Sequence, residues 1–155
     1  MSAFRNVLLS LTLVGLIGCG PETPAPETRY PYNESADAHN DVKAALLHAE
    51  NKKVMLIFGA NWCPDCRKFD AQLMKEPLLA TILNHYVLVK IDIGQFDKNM
   101  DIADAYGKPT SKGIPAAAIT DSTGHVIKII SGDKLVATHK RSDDVLLDLL
   151  DVPPQ

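Results

Sequence analysis

Cysteine is scarce in this chain of 155 residues, which contains only Cys19, Cys63 and Cys66. So few cysteines cannot form the disulfide framework on which many small secreted folds depend. An excess of basic charge is also lacking, since 16 Lys and Arg residues face 19 Asp and Glu residues, for a net charge of −3. The scattered positive side chains form no basic stripe of the kind that binds nucleic acid, so no nucleic-acid partner is expected. The length and composition fit one globular domain.

The sequence has no apolar run long enough to span a membrane as a helix. The stretch from Val7 to Ile17 is shorter than the ~20 residues required, but it suits the apolar part of a secretory signal. It ends in "LIGC", Leu16 to Cys19, which resembles the lipobox of bacterial lipoproteins. That resemblance implies a signal peptide over residues 1–18 and a lipidated Cys19, which would anchor the chain to a membrane; the alternative is an ordinary signal peptide with an incidental cysteine. Gly20 follows instead of an Asp, which favours the outer membrane.

The residues after Cys19 are rich in proline and offer little to bury. Residues 20–35 read "GPETPAPETRYPYNES", with four prolines and charges of both signs, a composition typical of an extended tether. About 15 such residues at ~3.1 Å each would reach roughly 45 Å. The sequence therefore predicts a tether over residues 19–34 and a folded domain over residues 35–155.

The remaining sequence predicts helices and strands in the order α-β-α-β-α-β-β-α. Continuous apolar runs typical of buried strands occupy residues 53–58 and 86–93. A hairpin is predicted over residues 113–130, with an Asp/Gly turn at 121–124. Helices are predicted in four places: from a cap at Ser35 to about Glu50, from Cys63 to His85 with an interruption at Pro77, over residues 97–106, and from a cap at Ser142.

The string "WCPDC", Trp62 to Cys66, places two cysteines between a predicted strand and a predicted helix. The pair could be a reactive dithiol, a structural disulfide or half of a metal site. A structural disulfide across a four-residue loop would contribute only about 2 kcal/mol. A zinc site needs two further Cys or His ligands at suitable spacing, and the histidines are scattered without such a pair: His39, His48, His85, His125 and His139. A redox-inactive module that binds clients without turnover is a further alternative.

As a reactive dithiol, the pair has a clear division of labour. Cys63 would lie at the N-terminus of a helix, where free N–H groups and the helix dipole stabilise the attacking thiolate. Cys66 would lie one turn later, more buried, and would resolve the mixed disulfide. Pro64 and Asp65 tune the pair, because Asp65 adds a negative charge that opposes ionisation of the thiol. With no His between the cysteines, a reducing or isomerising role is favoured over that of a primary oxidant.

Three separated motifs make the chain similar to the thioredoxin family: "WCPDC" at 62–66, "VKIDI" at 89–93 and "GIP" at 113–115. The similarity extends over roughly residues 37–150. It implies an α/β thioredoxin fold, with a central mixed sheet flanked by helices, and the activity of a thiol–disulfide oxidoreductase in the bacterial periplasm. The partners so implied are cysteine-containing envelope proteins and a dithiol protein as electron donor, with no cofactor and no metal.

The resemblance also implies roles for residues around the dithiol. Pro115 would follow a cis peptide bond, which exposes the backbone of Ile114 for pairing with an extended client strand. Trp62 would cover the dithiol. These three residues are therefore expected to form the client-binding part of the site.

Two departures from the thioredoxin pattern affect the expected mechanism. A typical thioredoxin has a buried acid six residues before the first cysteine, and Ile57 occupies that position here. Lys90 matches the lysine that neighbours this acid, but Cys66 is expected to lack a nearby buried proton acceptor. The stretch at 106–115, "YGKPTSKGIP", is about three residues longer than usual, so client preference is expected to differ.

Overall fold

The computed structural model describes residues 30–138 and 142–153, which form a four-stranded sheet with helices on both faces. The strands are Lys53–Gly59 (β1), Tyr86–Asp92 (β2), Ala116–Thr120 (β3) and Val126–Ile130 (β4). The helices are Ala38–Leu47 (α1), Pro64–Leu73 (α2), Leu78–His85 (α3), Met100–Ala105 (α4), Gly132–Thr138 (α5) and Asp143–Leu149 (α6). A short 3₁₀ helix, Pro109–Lys112, precedes β3.

The sheet is mixed, with strand order β2-β1-β3-β4. β1 runs parallel to β2 and antiparallel to β3, and β3 pairs antiparallel with β4. β1 lies inside the sheet and is buried from Val54 to Gly59, as its continuous apolar run predicts. The predicted thioredoxin fold, a mixed sheet flanked by helices, is therefore confirmed.

Alternate residues of β1 supply two separate hydrophobic cores. Met55 and Ile57 face the side of the sheet on which α2, α3, α5 and α6 pack. Leu56 and Phe58 face the opposite side, where α1 and α4 pack. This alternation follows from the two-residue repeat of a strand, and it places α2, with the dithiol at its start, on the Ile57 side.

The structure differs from the predicted elements in three places. Asp37, not Ser35, caps α1: its side chain accepts the Asn40 N–H at 3.1 Å. Residues before Pro77 and after it form two helices, α2 and α3, and the Glu76–Pro77 peptide bond is cis. The helix α5 was not predicted, because its seven residues are too few for a clear periodic pattern.

Several predicted features lie outside the described residues: the signal peptide, Cys19, the tether up to residue 29, and His139. Within residues 30–138 and 142–153, none of the helices combines the length and apolar character that crossing a membrane requires. In the same part of the chain, no three or more His, Cys, Asp or Glu side chains are grouped so that they could hold a metal ion.

Candidate active site

Cys63 and Cys66 lie where the chain passes from β1 into α2. Cys63 is the N-cap residue of α2, and Pro64 occupies the first turn, where its missing N–H is no loss. The Cys66 N–H donates to Cys63 Sγ at 3.2 Å. On its other side, Cys63 Sγ lies 3.7 Å from the carbonyl oxygen of Ile114, to which the thiol donates. Both cysteines are free thiols; Cys66 is fully buried and Cys63 is 5% exposed.

These surroundings separate the two cysteines in acidity. The pKa of Cys63 is lowered to about 7, chiefly by the hydrogen bond from the Cys66 side chain and further by backbone N–H groups. Burial and the negative charge of Asp65, which pairs with Lys68 at 3.8 Å, oppose this lowering. The same hydrogen bond to Cys63, together with burial, raises the pKa of Cys66 far above its usual range. Near neutral pH, Cys63 therefore carries the negative charge and Cys66 keeps its proton.

We expect Cys63 to react with iodoacetamide at a rate that rises with pH and reaches half of its plateau near pH 7. The thiolate is the reactive form, so the rate follows the ionised fraction, which increases as pH passes the pKa. An unperturbed cysteine would reach half-plateau at about pH 8.5. Peptide mass spectrometry after timed quenching gives the rate for each cysteine, and Cys66 should remain unmodified. A midpoint at or above pH 8.5 for Cys63 would contradict the stabilised thiolate.

The loop before β3 places the Ile114 carbonyl beside Cys63. The Ile114–Pro115 peptide bond is cis, as the resemblance implies. Gly113 precedes it with φ +90°, a conformation that favours glycine. Gly132, the first residue of α5, lies directly against this loop, where an added Cβ would be 2.5 Å from the carbonyl oxygen of Gly113. The close approach of α5 therefore fixes the loop that faces the dithiol.

Trp62 and Phe96 form an exposed aromatic surface next to Cys63. The Trp62 indole N–H donates to the carbonyl oxygen of Gly94 at 2.7 Å, which fixes the ring on the loop after β2. The ring of Phe96 lies against it, with centroids 6.3 Å apart and planes at 56°. Both side chains are almost half exposed, at 46% and 44%. Sequence analysis selected Trp62 but not Phe96, because no motif surrounds Phe96 and only the fold brings it to the site.

Lys90 lies on β2 and forms an ion pair with Asp70 of α2. Asp70 is 5% exposed and follows Cys66 by four residues, so the two side chains share one face of α2. The expectation that Cys66 lacks a nearby buried acid is therefore wrong. Ile57 does pair in register with Lys90, but the carboxylate comes from the helix instead of from the strand. The four-residue spacing on a helix whose buried face includes Cys66 was the available signal.

Tyr32, which the sequence assigns to the tether, packs in one buried cluster with Cys63 and Cys66. It is 3% exposed. Asn61 binds its backbone at both sides: the Tyr32 N–H donates to Asn61 Oδ1 at 2.9 Å, and Asn61 Nδ2 donates to the Tyr32 carbonyl oxygen at 2.8 Å. Asn61 Nδ2 also donates to Glu34 Oε1 at 2.9 Å. Sequence analysis selected neither residue, because a single aromatic residue within a proline-rich segment carries no periodic signal.

Comparison with known proteins gives one family and several similar structures. Residues 36–122, more than half of the chain, match the family model described as thioredoxin-like. The crystal structure of a disulphide isomerase from Xylella fastidiosa Temecula1 is 41% identical, with a TM-score of 0.73 over 78% of this chain and 94% of that one. The germline-specific thioredoxin Deadhead from Drosophila melanogaster is 18% identical, with a TM-score of 0.53 over 73% of this chain and 91% of that one, and is similar in fold alone.

Shorter sequence matches connect the chain with a larger class of protein. The thiol:disulfide interchange protein DsbD of Salmonella typhi is 32% identical over 54 residues, or 35% of this chain. The protein of the same name from Vibrio vulnificus is 37% identical over 49 residues, or 32% of this chain. The matched segments are 10% and 8% of the lengths of those proteins, so the chain corresponds to a small part of each.

Proposed function

Since the chain belongs to the thioredoxin-like family, we propose that it is a thiol–disulfide oxidoreductase that reduces or isomerises protein disulfides in the bacterial envelope. The observation that carries this proposal is the position of Cys63 at the N-cap of α2, where its sulfur accepts the Cys66 N–H and its pKa is lowered to about 7. A thiolate stabilised in this way is the species that attacks a disulfide. The similarity to a protein described as a disulphide isomerase supports the same class of reaction.

The two cysteines then act in turn. The Cys63 thiolate attacks one sulfur of a client disulfide, forms a mixed disulfide and releases the other client sulfur as a thiolate. Cys66 attacks Cys63 Sγ, which releases the client and leaves a Cys63–Cys66 disulfide. In isomerisation the released client thiolate attacks instead and forms a different client disulfide. A dithiol protein, which is the proposed electron donor, restores the reduced pair, so the cycle needs no cofactor.

Clients would bind along the surface formed by Trp62, Phe96, Ile114 and Pro115. The Ile114 carbonyl oxygen lies beside Cys63 Sγ, so a client sulfur bound to Cys63 is close to the Ile114 backbone. An extended client segment could pair there through main-chain hydrogen bonds. The exposed rings of Trp62 and Phe96 offer apolar contact to side chains that flank the client cysteine.

The proposal places the chain in the periplasm, anchored to the outer membrane through a lipidated Cys19. Its support is the string "LIGC" at residues 16–19 and Gly20 after it. The proposed division is a signal peptide at 1–18, a tether at 19–34 and the thioredoxin-like domain at 35–155. Residues 30–34 of this tether include Tyr32, whose burial against the dithiol brings the end of the tether to the site.

The reduction potential of the Cys63/Cys66 pair tests the direction of the reaction. We expect a value nearer to that of thioredoxin, about −270 mV, than to that of a strong periplasmic oxidant, about −120 mV. A first-cysteine pKa of about 7 is typical of the reducing members, whereas strong oxidants have values near 3.5. Equilibration in buffers of reduced and oxidised dithiothreitol, followed by thiol labelling, gives the potential.

The variant Asp65→Asn serves as an internal check on that measurement. It removes a negative charge that opposes ionisation of Cys63, so it should stabilise the reduced pair and make the potential less negative. A wild-type potential more positive than about −150 mV would overturn the reducing or isomerising role and indicate an oxidant.

A further inference from the structure

A buried phenol lies beside Cys66, and the exchange reaction described above does not use it. Tyr32 packs against both cysteines, and its hydroxyl reaches the end of β1, where a Cβ added to Gly59 would lie 2.1 Å from Tyr32 Oη. Gly59 follows Ile57 by two residues, so both face the side of the sheet that α2 covers. The hydroxyl therefore lies between the end of β1 and the first turns of α2.

Two contacts hold the phenol in this position. Asn61 binds the backbone N–H and carbonyl oxygen of Tyr32, and Asn61 is itself buried. The absence of a side chain at Gly59 provides the space for the hydroxyl. A residue outside the predicted domain is thus fixed under the dithiol by the loop that carries it, two positions before Cys63.

The hydroxyl is surrounded by groups that gain or lose protons. Burial raises the pKa of Tyr32 well above its usual value, and the negative charges of nearby groups raise it further, with Cys66 and Asp70 the strongest of these. The phenol therefore keeps its proton and serves as both donor and acceptor of hydrogen bonds. The groups that face it are Cys63, Cys66 and Asp70 from α2 and its cap, and Asp92 from β2, with Lys90 paired to Asp70 and Lys98 paired to Asp92 at 3.7 Å.

Cys66 needs a route by which its proton can leave. It is fully buried, and its pKa is raised, so water and hydroxide have poor access to a thiol that must become a thiolate before it can attack. The carboxylate that could take the proton belongs to Asp70, one helical turn further along α2 and held by Lys90. Tyr32 is the group in contact with the cysteines that also interacts with Asp70.

We propose that Tyr32 relays the proton of Cys66 to Asp70 when Cys66 resolves the mixed disulfide, a step that rests on the function proposed above. The Cys66 thiol gives its proton to Tyr32 Oη, and the Tyr32 hydroxyl gives its own proton to the Asp70 carboxylate. The Cys66 thiolate attacks Cys63 Sγ, the bond between Cys63 and the client sulfur breaks, and the client leaves with the electron pair as a thiolate. Asp70 later returns the proton to solvent. Tyr32 thus acts through Cys66 as a positioning and relay residue.

The reaction of the reduced protein with 5,5′-dithiobis(2-nitrobenzoate) separates the two steps in one experiment. Attack by Cys63 releases the first nitrothiobenzoate, and resolution by Cys66 releases the second, so stopped-flow absorbance shows two phases. We expect Tyr32→Phe to slow the second phase about 100-fold, the low end of general acid–base contributions, and to change the first phase less than twofold. Asp70→Asn should slow the second phase similarly, and the double variant should be no slower than either single one. Tyr30→Phe, at an exposed tyrosine two positions earlier, is the matched control and should behave as wild type.

The pH dependence of the second phase distinguishes a relay from a structural role. Without Tyr32 Oη, the Cys66 proton must leave to hydroxide, so the second-phase rate of Tyr32→Phe should rise about tenfold per pH unit, whereas the wild-type rate should rise less steeply. A second phase within twofold of wild type, an unchanged pH slope, or equal slowing of both phases in folded Tyr32→Phe and Asp70→Asn would overturn the relay. Loss of the first phase in the wild-type protein would instead overturn the proposed function.

Discussion

Cys66→Ser, expressed in the bacterial envelope, should accumulate covalent complexes with client proteins, whereas Cys63→Ser should form none. Cys63 keeps its position at the N-cap of α2 in the first variant, so it still attacks a client disulfide. The mixed disulfide then persists, because no second thiol is present to release the client. Cys63→Ser removes the only sulfur with a lowered pKa and should reduce exchange to the background rate.

Non-reducing gels followed by mass spectrometry of the trapped bands measure this difference. The bands should disappear on addition of dithiothreitol, and the double variant Cys63→Ser/Cys66→Ser is the matched control that should trap nothing. A purely structural disulfide predicts that both single variants lose similar stability and trap nothing. A redox-inactive binding module predicts that both variants still hold clients without a covalent bond. Absence of trapped clients in Cys66→Ser, when Cys63 is shown to be reduced and reachable, would falsify the proposed mechanism.

Lys90→Met should lower the free energy of unfolding by about 3 kcal/mol. The substitution keeps an unbranched side chain of similar length but leaves the buried Asp70 carboxylate without its cationic partner. Loss of one member of a buried ion pair typically costs 3–5 kcal/mol, and the lower end applies because a quarter of the Lys90 side chain is exposed. Urea unfolding followed by circular dichroism measures the change.

Two variants serve as controls for this prediction. Lys68→Met breaks the exposed ion pair with Asp65 and should cost less than about 1 kcal/mol. Lys90→Met/Asp70→Leu removes both charges and should recover most of the lost stability, since an apolar pair of similar volume needs no charge partner. Equal costs for Lys90→Met and Lys68→Met would show that the Lys90–Asp70 pair does not contribute as a buried pair.

The sequence predicts the architecture of this protein well where a pattern extends over several residues. The apolar run of β1 gives a strand buried on both faces, and the motif that follows it gives a helix with Cys63 at its start. Both signals are local, since they depend on residue types at adjacent positions. The short helix α5 escaped prediction because its position is set by packing against α2 and the loop at Gly113, which are distant in sequence.

The site was predicted only in the part that a motif carries. The two cysteines and the Ile114–Pro115 loop were found from the sequence, and the structure brings them within 3.7 Å of each other. Tyr32 and Phe96 escaped, since each is a single aromatic residue in a polar or proline-rich stretch and reaches the dithiol through long-range contacts. The buried acid was expected to be missing because a family pattern locates it on β1, whereas a carboxylate reaches the same region from α2.

The two hydrogen bonds between Asn61 and the backbone of Tyr32 have a practical consequence for handling the protein. They fix the point at which the amino-terminal chain leaves the domain, and that point is two residues from Cys63 in space-filling contact with the dithiol cluster. An affinity tag, a fluorophore or a biosensor surface joined just before Tyr30 would therefore be held next to the reactive sulfur. Such an attachment would crowd large clients but leave small disulfide reagents unaffected, so assays with tagged protein would report different apparent specificities from assays with the free domain.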